Sequence, residues 1–168
     1  MSGEGFRIRV GRAADLTDVL EMERSIPEAP HWREAEYAAV IAADRSANGA
    51  VRRCLMVADT GSDLLGFAVG KVVCVAPNGV GELESVAVDP DARRRGVGRA
   101  LCEAVVDWAK RLGAGMIELE VRATSDAAIT LYEGLGFVFS GRRKGYYRTP
   151  IEDALLMKLE LSRSNSDE

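Results

Sequence analysis

A chain of 168 residues suits one domain, and a compact domain of this size removes roughly 70% of its unfolded surface from water. An apolar share of 47% and a charged share of 29% exclude a disordered or fibrous chain. The net charge of −4 excludes a surface built wholly for nucleic acid, so any basic site must be local.

Arg7-Ile8-Arg9-Val10 alternates as a first strand, and Leu16, Val19, Leu20 and Ile26 recur at helical intervals across 13–25. A second helix is expected over 32–44, broken by Ser46-Ala47-Asn48-Gly49. Strands over 53–59 and 64–75 turn at Gly61-Ser62-Asp63 and read as an antiparallel hairpin. After Pro77-Asn78-Gly79 comes a strand over 82–88, which Asp89-Pro90 ends because proline cannot continue the ladder. Leu101, Val105, Trp108 and Leu112 then mark a helix over 97–112, with Gly113 placed for a left-handed cap. Ile117, Leu119 and Val121 alternate with Glu118 and Glu120 in a strand over 116–121. A helix over 125–135, capped by Ser125 or Asp126 and closed by Gly136, precedes strands over 137–147 and 153–161. The β-α-β-α-β run implies at least one parallel pair in a mixed sheet. Residues 1–161 read as a single domain, and the polar segment 162–168 as a disordered tail.

Cys54, Cys74 and Cys102 lack CxxC spacing and are expected to be reduced core thiols. His31 is the sole histidine, which excludes a multi-histidine centre, and no metal is expected. His31 itself reads as a loop or packing residue. Met1 to Gly5 shows neither a basic nor an apolar leader region, and no run of 18 apolar residues occurs. The expectation is a cytoplasmic protein, off the membrane and without direct nucleic-acid contact.

The informative segment is Arg93-Arg94-Arg95-Gly96-Val97-Gly98-Arg99, between a strand and the strongest helix. Backbone N–H groups at that helix start can face an anion, and two glycines let the main chain approach a phosphate. A Walker loop is excluded because its lysine and hydroxyl are missing. A dinucleotide fingerprint fits poorly, since the third glycine position holds Leu101 and residues 89–95 intervene after the strand. A solvated basic turn is the plain alternative.

Arg93-Arg94-Arg95-Gly96-Val97-Gly98 resembles the [Q/R]xxGx[G/A] loop of the GNAT superfamily of N-acetyltransferases. Leu119-Glu120-Val121-Arg122, Ala128 to Phe137 and Arg143-Lys144-Gly145-Tyr146-Tyr147 resemble the bacterial ribosomal-protein-alanine N-acetyltransferases, over nearly half the chain. The resemblance implies a three-layer α/β (α+β mixed) fold, with a mostly antiparallel sheet of about seven strands and helices on both faces. It implies acetyl-CoA as co-substrate, with Val86, Ala87 and Val88 along the pantetheine arm and the loop from Arg93 through Arg99 on the pyrophosphate. By the same resemblance Glu120 is the general base and Tyr132 the general acid, while Tyr146 and Tyr147 line the peptide entrance. Glu84 is a rival base, and Tyr132, Tyr146 and Tyr147 have packing readings. Ser125 stands where relatives carry asparagine, and its shorter side chain would still cap the helix and reach the cofactor. The expected acceptor is a protein N-terminal α-amine, as of a small-subunit ribosomal protein, met by a monomer or weak homodimer. An α-amine is also the easier nucleophile, with a pKa of about 7.7–8.0 against about 10.4 for lysine. A small-molecule amine or lysine acceptor, and a non-catalytic acetyl-CoA sensor, are the alternatives.

Overall fold

The computed structural model describes residues 5–27, 29–43, 50–74 and 78–161; the breaks expected at 46–49 and at Pro77, and the tail over 162–168, lie outside them. Seven strands form one sheet: β1 (Arg7–Val10), β2 (Val51–Asp59), β3 (Leu64–Val73), β4 (Gly79–Val88), β5 (Ala114–Arg122), β6 (Val138–Arg148) and β7 (Ile151–Glu160). Four helices accompany them: α1 (Leu16–Ser25), α2 (Glu34–Ala43), α3 (Val97–Arg111) and α4 (Asp126–Gly134). The sheet order is β1-β2-β3-β4-β5-β7-β6, and only β4 and β5 run parallel. The expected mixed, mostly antiparallel sheet is the one observed.

Strand alternation divides the core between two faces. Cys54, Met56, Ala68, Val72, Ile117, Leu119 and Val121 pack with Leu101, Val105 and Trp108 of α3, and Tyr132 of α4 joins them. Leu55, Val57, Phe67 and Val69 pack on the other face with Val19, Leu20, Tyr37 and Val40 of α1 and α2. Gly113 takes φ +83° just after α3, and Gly136 takes φ +100° just after α4, as the sequence led one to expect of closing glycines.

Two expectations are corrected. Cys74 is exposed, so only Cys54 and Cys102 are core thiols. Ser125 occupies the N-cap position of α4, but its side chain makes no capping hydrogen bond.

Among the described residues, no helix is long and apolar enough to cross a membrane.

Candidate active site

The site is built on an interruption between β4 and β5. Their ladder pairs Gly79, Val80, Gly81 and Glu82 with Ala114, Met116, Ile117 and Glu118, and no pairing follows, although β4 runs on to Val88 and β5 to Arg122. From Leu83 to Val88, the edge of β4 that faces β5 therefore carries backbone groups without ladder partners. Such groups call for hydrogen-bonding partners of another kind.

A bulge shapes the same stretch of β4. Gly70 opposes Leu83 and Val69 opposes Ser85, so Glu84 is the extra residue. An odd-numbered residue before the bulge, Leu83, therefore shares a face with the even-numbered Val86 and Val88 after it, while Ala87 turns to the α1–α2 side. The Glu84 carboxyl is nearly buried and is held by Arg53 at 3.2 Å, while its Oε2 has no hydrogen-bond partner among the described residues. Burial pushes its pKa up despite the opposing charge of Arg53.

Beyond Val88, a single 3-10 turn (Pro90–Ala92) leads into the basic loop. Arg94 and Gly96 both adopt left-handed backbone, at φ 67° and 79°. Alternation of this kind gathers successive N–H groups into an anion-binding concavity. Gly96 is the N-cap of α3 and offers no side chain to the first-turn amides, so they remain available. Arg93, Arg94 and Arg95 are exposed and form no ion pair among the described residues, whereas Arg99 pairs with Glu103 at 2.9 Å. Gly98 differs from Gly96, because a Cβ on it would meet Leu131 Cδ2 at 3.4 Å and Val88 Cγ2 at 3.5 Å. Its hydrogen faces the seam between β4 and α4.

Glu120 and Tyr132 lie on opposite faces of the sheet. Strand alternation turns Glu120 away from the core formed by Leu119 and Val121, whereas Tyr132 packs on that core with its ring 5.9 Å from Phe137. Burial raises the Tyr132 phenol pKa well above its ordinary value, which keeps the proton on it.

On the Glu120 side, Arg143 Nε lies 3.4 Å from Oε1, and the Tyr146 phenol neighbours the same carboxylate. Interaction with that carboxylate raises the Tyr146 pKa. The Tyr146 and Tyr147 rings meet edge to face at 5.2 Å, although consecutive side chains of a regular strand point oppositely. The irregular pairing between Arg143 and Tyr147 accounts for this. Gly145 there has φ 58°, and its N–H donates to Asp153 at 2.9 Å. The structure thus brings Glu120, Tyr146 and Tyr147 together, and leaves His31 elsewhere, beside Glu23 at 3.5 Å. Sequence reasoning missed the partnership of Arg143 with Glu120 and that of Arg122 with Tyr147, since both join residues of different strands.

The sequence matches the Acetyltransferase (GNAT) family over residues 16–137, which is most of the chain. The chain belongs to the GNAT acetyltransferase family. Within that family it is 48% identical over 82 residues to the [ribosomal protein bS18]-alanine N-acetyltransferase of Escherichia coli K12, covering 48% of this chain and 55% of the relative. It is 37% identical over 101 residues to N-alpha-acetyltransferase RimI of Mycobacterium tuberculosis, covering 60% of this chain and 62% of the relative. The match thus spans little more than half the length of either of these curated relatives. Its fold superimposes on the crystal structure of the E. coli ribosomal-protein-S18-alanine N-acetyltransferase with a TM-score of 0.77 and 31% identity, covering 98% of this chain and 99% of that one.

Proposed function

We propose that this GNAT protein transfers the acetyl group of acetyl-CoA to the N-terminal α-amine of a protein, and that a small-subunit ribosomal protein is the acceptor. The observation that carries the reading is the β4–β5 gap, flanked by an uncapped helix N-terminus on one side and by a carboxylate near two adjoining tyrosines on the other. The similarity to enzymes named for ribosomal-protein alanine supports the acceptor class.

The residues suit coenzyme A. The free edge at Val86, Ala87 and Val88 can pair with the amides of its pantetheine arm, as an added strand would. The amides from Arg94 to Arg99, with the unpaired arginines, meet its pyrophosphate, and Ser125 lies at the start of the neighbouring α4. When bound, acetyl-CoA supplies an activated thioester, with the gap open toward Glu120.

The α-amine arrives largely protonated at neutral pH, and Glu120 accepts its proton, directly or through one water. Tyr146 and Tyr147 line the approach to the carboxylate. Tyr132, which burial keeps protonated, donates to the departing sulfur on the far face. A free β4 amide beside the bulge stabilises the oxygen on which charge develops.

Glu84 is the competing base on one observation: a nearly buried carboxyl of raised pKa with an unpartnered oxygen. Glu120→Gln and Glu84→Gln, compared by thiol release across pH, separate the two. Loss in the first alone supports Glu120. Thiol release with an N-terminal ribosomal peptide, a lysine peptide and free polyamines tests the acceptor. Preference for the peptide α-amine is expected, and absence of turnover with every amine would sink the enzymatic reading.

A further inference from the structure

The chemistry above uses Glu120 and the tyrosines but leaves Arg122 idle, two residues along β5 on the same face. The Arg122 guanidinium lies over the Tyr147 ring, its Cζ 4.1 Å from the centroid. Its Nη1 is 3.3 Å from Glu152 Oε2, and both side chains are largely buried, with 23% and 12% of their surface exposed. The other oxygen of Glu152 accepts from the Thr124 amide at 2.7 Å and from the Thr124 hydroxyl. Tyr147 and Glu152 are also directly paired across β6 and β7.

Each member of this chain fixes the next. Thr124 holds Glu152 from two directions, and Glu152 in turn orients the guanidinium by charge and hydrogen bonding. The guanidinium sits over the phenol ring, a contact by a planar, delocalised cation that a compact ammonium does not reproduce. Tyr147 needs such support, because it follows the irregular stretch at Gly145 on the edge strand, where the ladder constrains side chains least. The ring so held lies within electrostatic reach of Glu120, and Tyr132 lies within reach of it.

We infer that Arg122, anchored by Glu152 and Thr124, is a positioning residue that holds the Tyr147 ring as one wall of the acceptor channel. The inference rests on the acetyltransferase reading above and adds a residue whose effect passes through Tyr147. Arg122 touches neither reacting group. Its removal therefore loosens acceptor binding and leaves the co-substrate site alone. A cation stacked on a partly desolvated ring has a strength that corresponds to about a tenfold change in KM.

The test compares wild type, Arg122→Gln, Arg122→Lys, Tyr147→Leu and the Arg122→Gln/Tyr147→Leu double variant by steady-state kinetics with an N-terminal peptide and acetyl-CoA. Thermal unfolding is measured for each variant. Arg122→Gln is expected to raise the peptide KM by about tenfold, with the acetyl-CoA KM unchanged. Arg122→Lys keeps the charge on Glu152 and recovers less than half of the loss. The double variant is no worse than Tyr147→Leu alone, because the arginine acts through the ring. An unchanged peptide KM in Arg122→Gln overturns the inference. Multiplicative losses in the double variant, or full rescue by lysine, do the same. Should Arg122→Gln not fold, Arg122→Lys decides, since a wild-type peptide KM in that variant refutes the role of the guanidinium. Failure of the wild type to turn over any amine would count against the acetyltransferase reading instead, and is thereby distinct.

Discussion

Replacing Gly96 by alanine separates the backbone conformation of the basic loop from the space around it. Gly96 sits at φ +79°, and a Cβ built there meets nothing within 4 Å. The cost is therefore the left-handed conformation alone, about 1–2 kcal/mol for an L residue. That corresponds to a ~5- to 30-fold weaker hold on the loop's native shape, and to a melting midpoint lower by about 2–8 °C for a chain of this length. Gly98→Ala is the control. Its added methyl meets Leu131 and Val88 at ordinary contact distance inside α3, where alanine is the better helix former. Calorimetric titration with acetyl-CoA and thermal scanning of both variants form the assay. Gly96→Ala should bind about tenfold more weakly and melt earlier, whereas Gly98→Ala should melt no earlier than wild type. Wild-type binding and melting of Gly96→Ala would refute the claim that the left-handed bend shapes the anion site.

Tyr132→Phe should lower turnover by about 100-fold with unchanged acetyl-CoA affinity; unchanged turnover would make Tyr132 a packing residue. Because burial raises its pKa, wild-type activity should show no alkaline fall from this phenol below about pH 10. Leu101 is fully buried on the core face of α3, and Leu101→Ala should cost about 2–5 kcal/mol in denaturant unfolding. Asp59 experiences burial, which raises its pKa, but hydrogen bonds from Arg7, Arg9 and the Gly61 amide prevail and leave it at about 2. Its folded value lies below its unfolded one, so the stability it adds is present above pH 4 and lost as pH falls toward 2. Asp59→Asn should melt earlier at pH 7 and lose less between pH 4 and 2; an unchanged acid profile would refute this.

Much of the fold was legible in the sequence because its elements carry local signals. The i, i+4, i+7, i+11 apolar series gave α3, Gly113 and Gly136 gave helix ends, and alternation gave the faces of β5. The basic loop was legible for the same reason, since glycine spacing at a helix start is a local property. What escaped were features that pairing creates. The bulge at Glu84 carries no local mark, yet it decides which of Leu83, Val86 and Ala87 share a face. The departure of β4 from β5 after Glu82 depends on which strand lies beside which. Arg143 was read as part of a motif, but its contact with Glu120 needs β6 next to β7 and β7 next to β5. Ser125 shows the opposite failure, where a good capping residue at the right position leaves its hydroxyl out of the cap.

The central claim is that acetyl-CoA fills the gap between β4 and β5, and amide hydrogen exchange with and without it tests that most directly. Slowed exchange confined to residues 83–88 and 94–99 is the predicted result. Unchanged exchange in both segments at saturating acetyl-CoA, or slowing only elsewhere, would contradict the account.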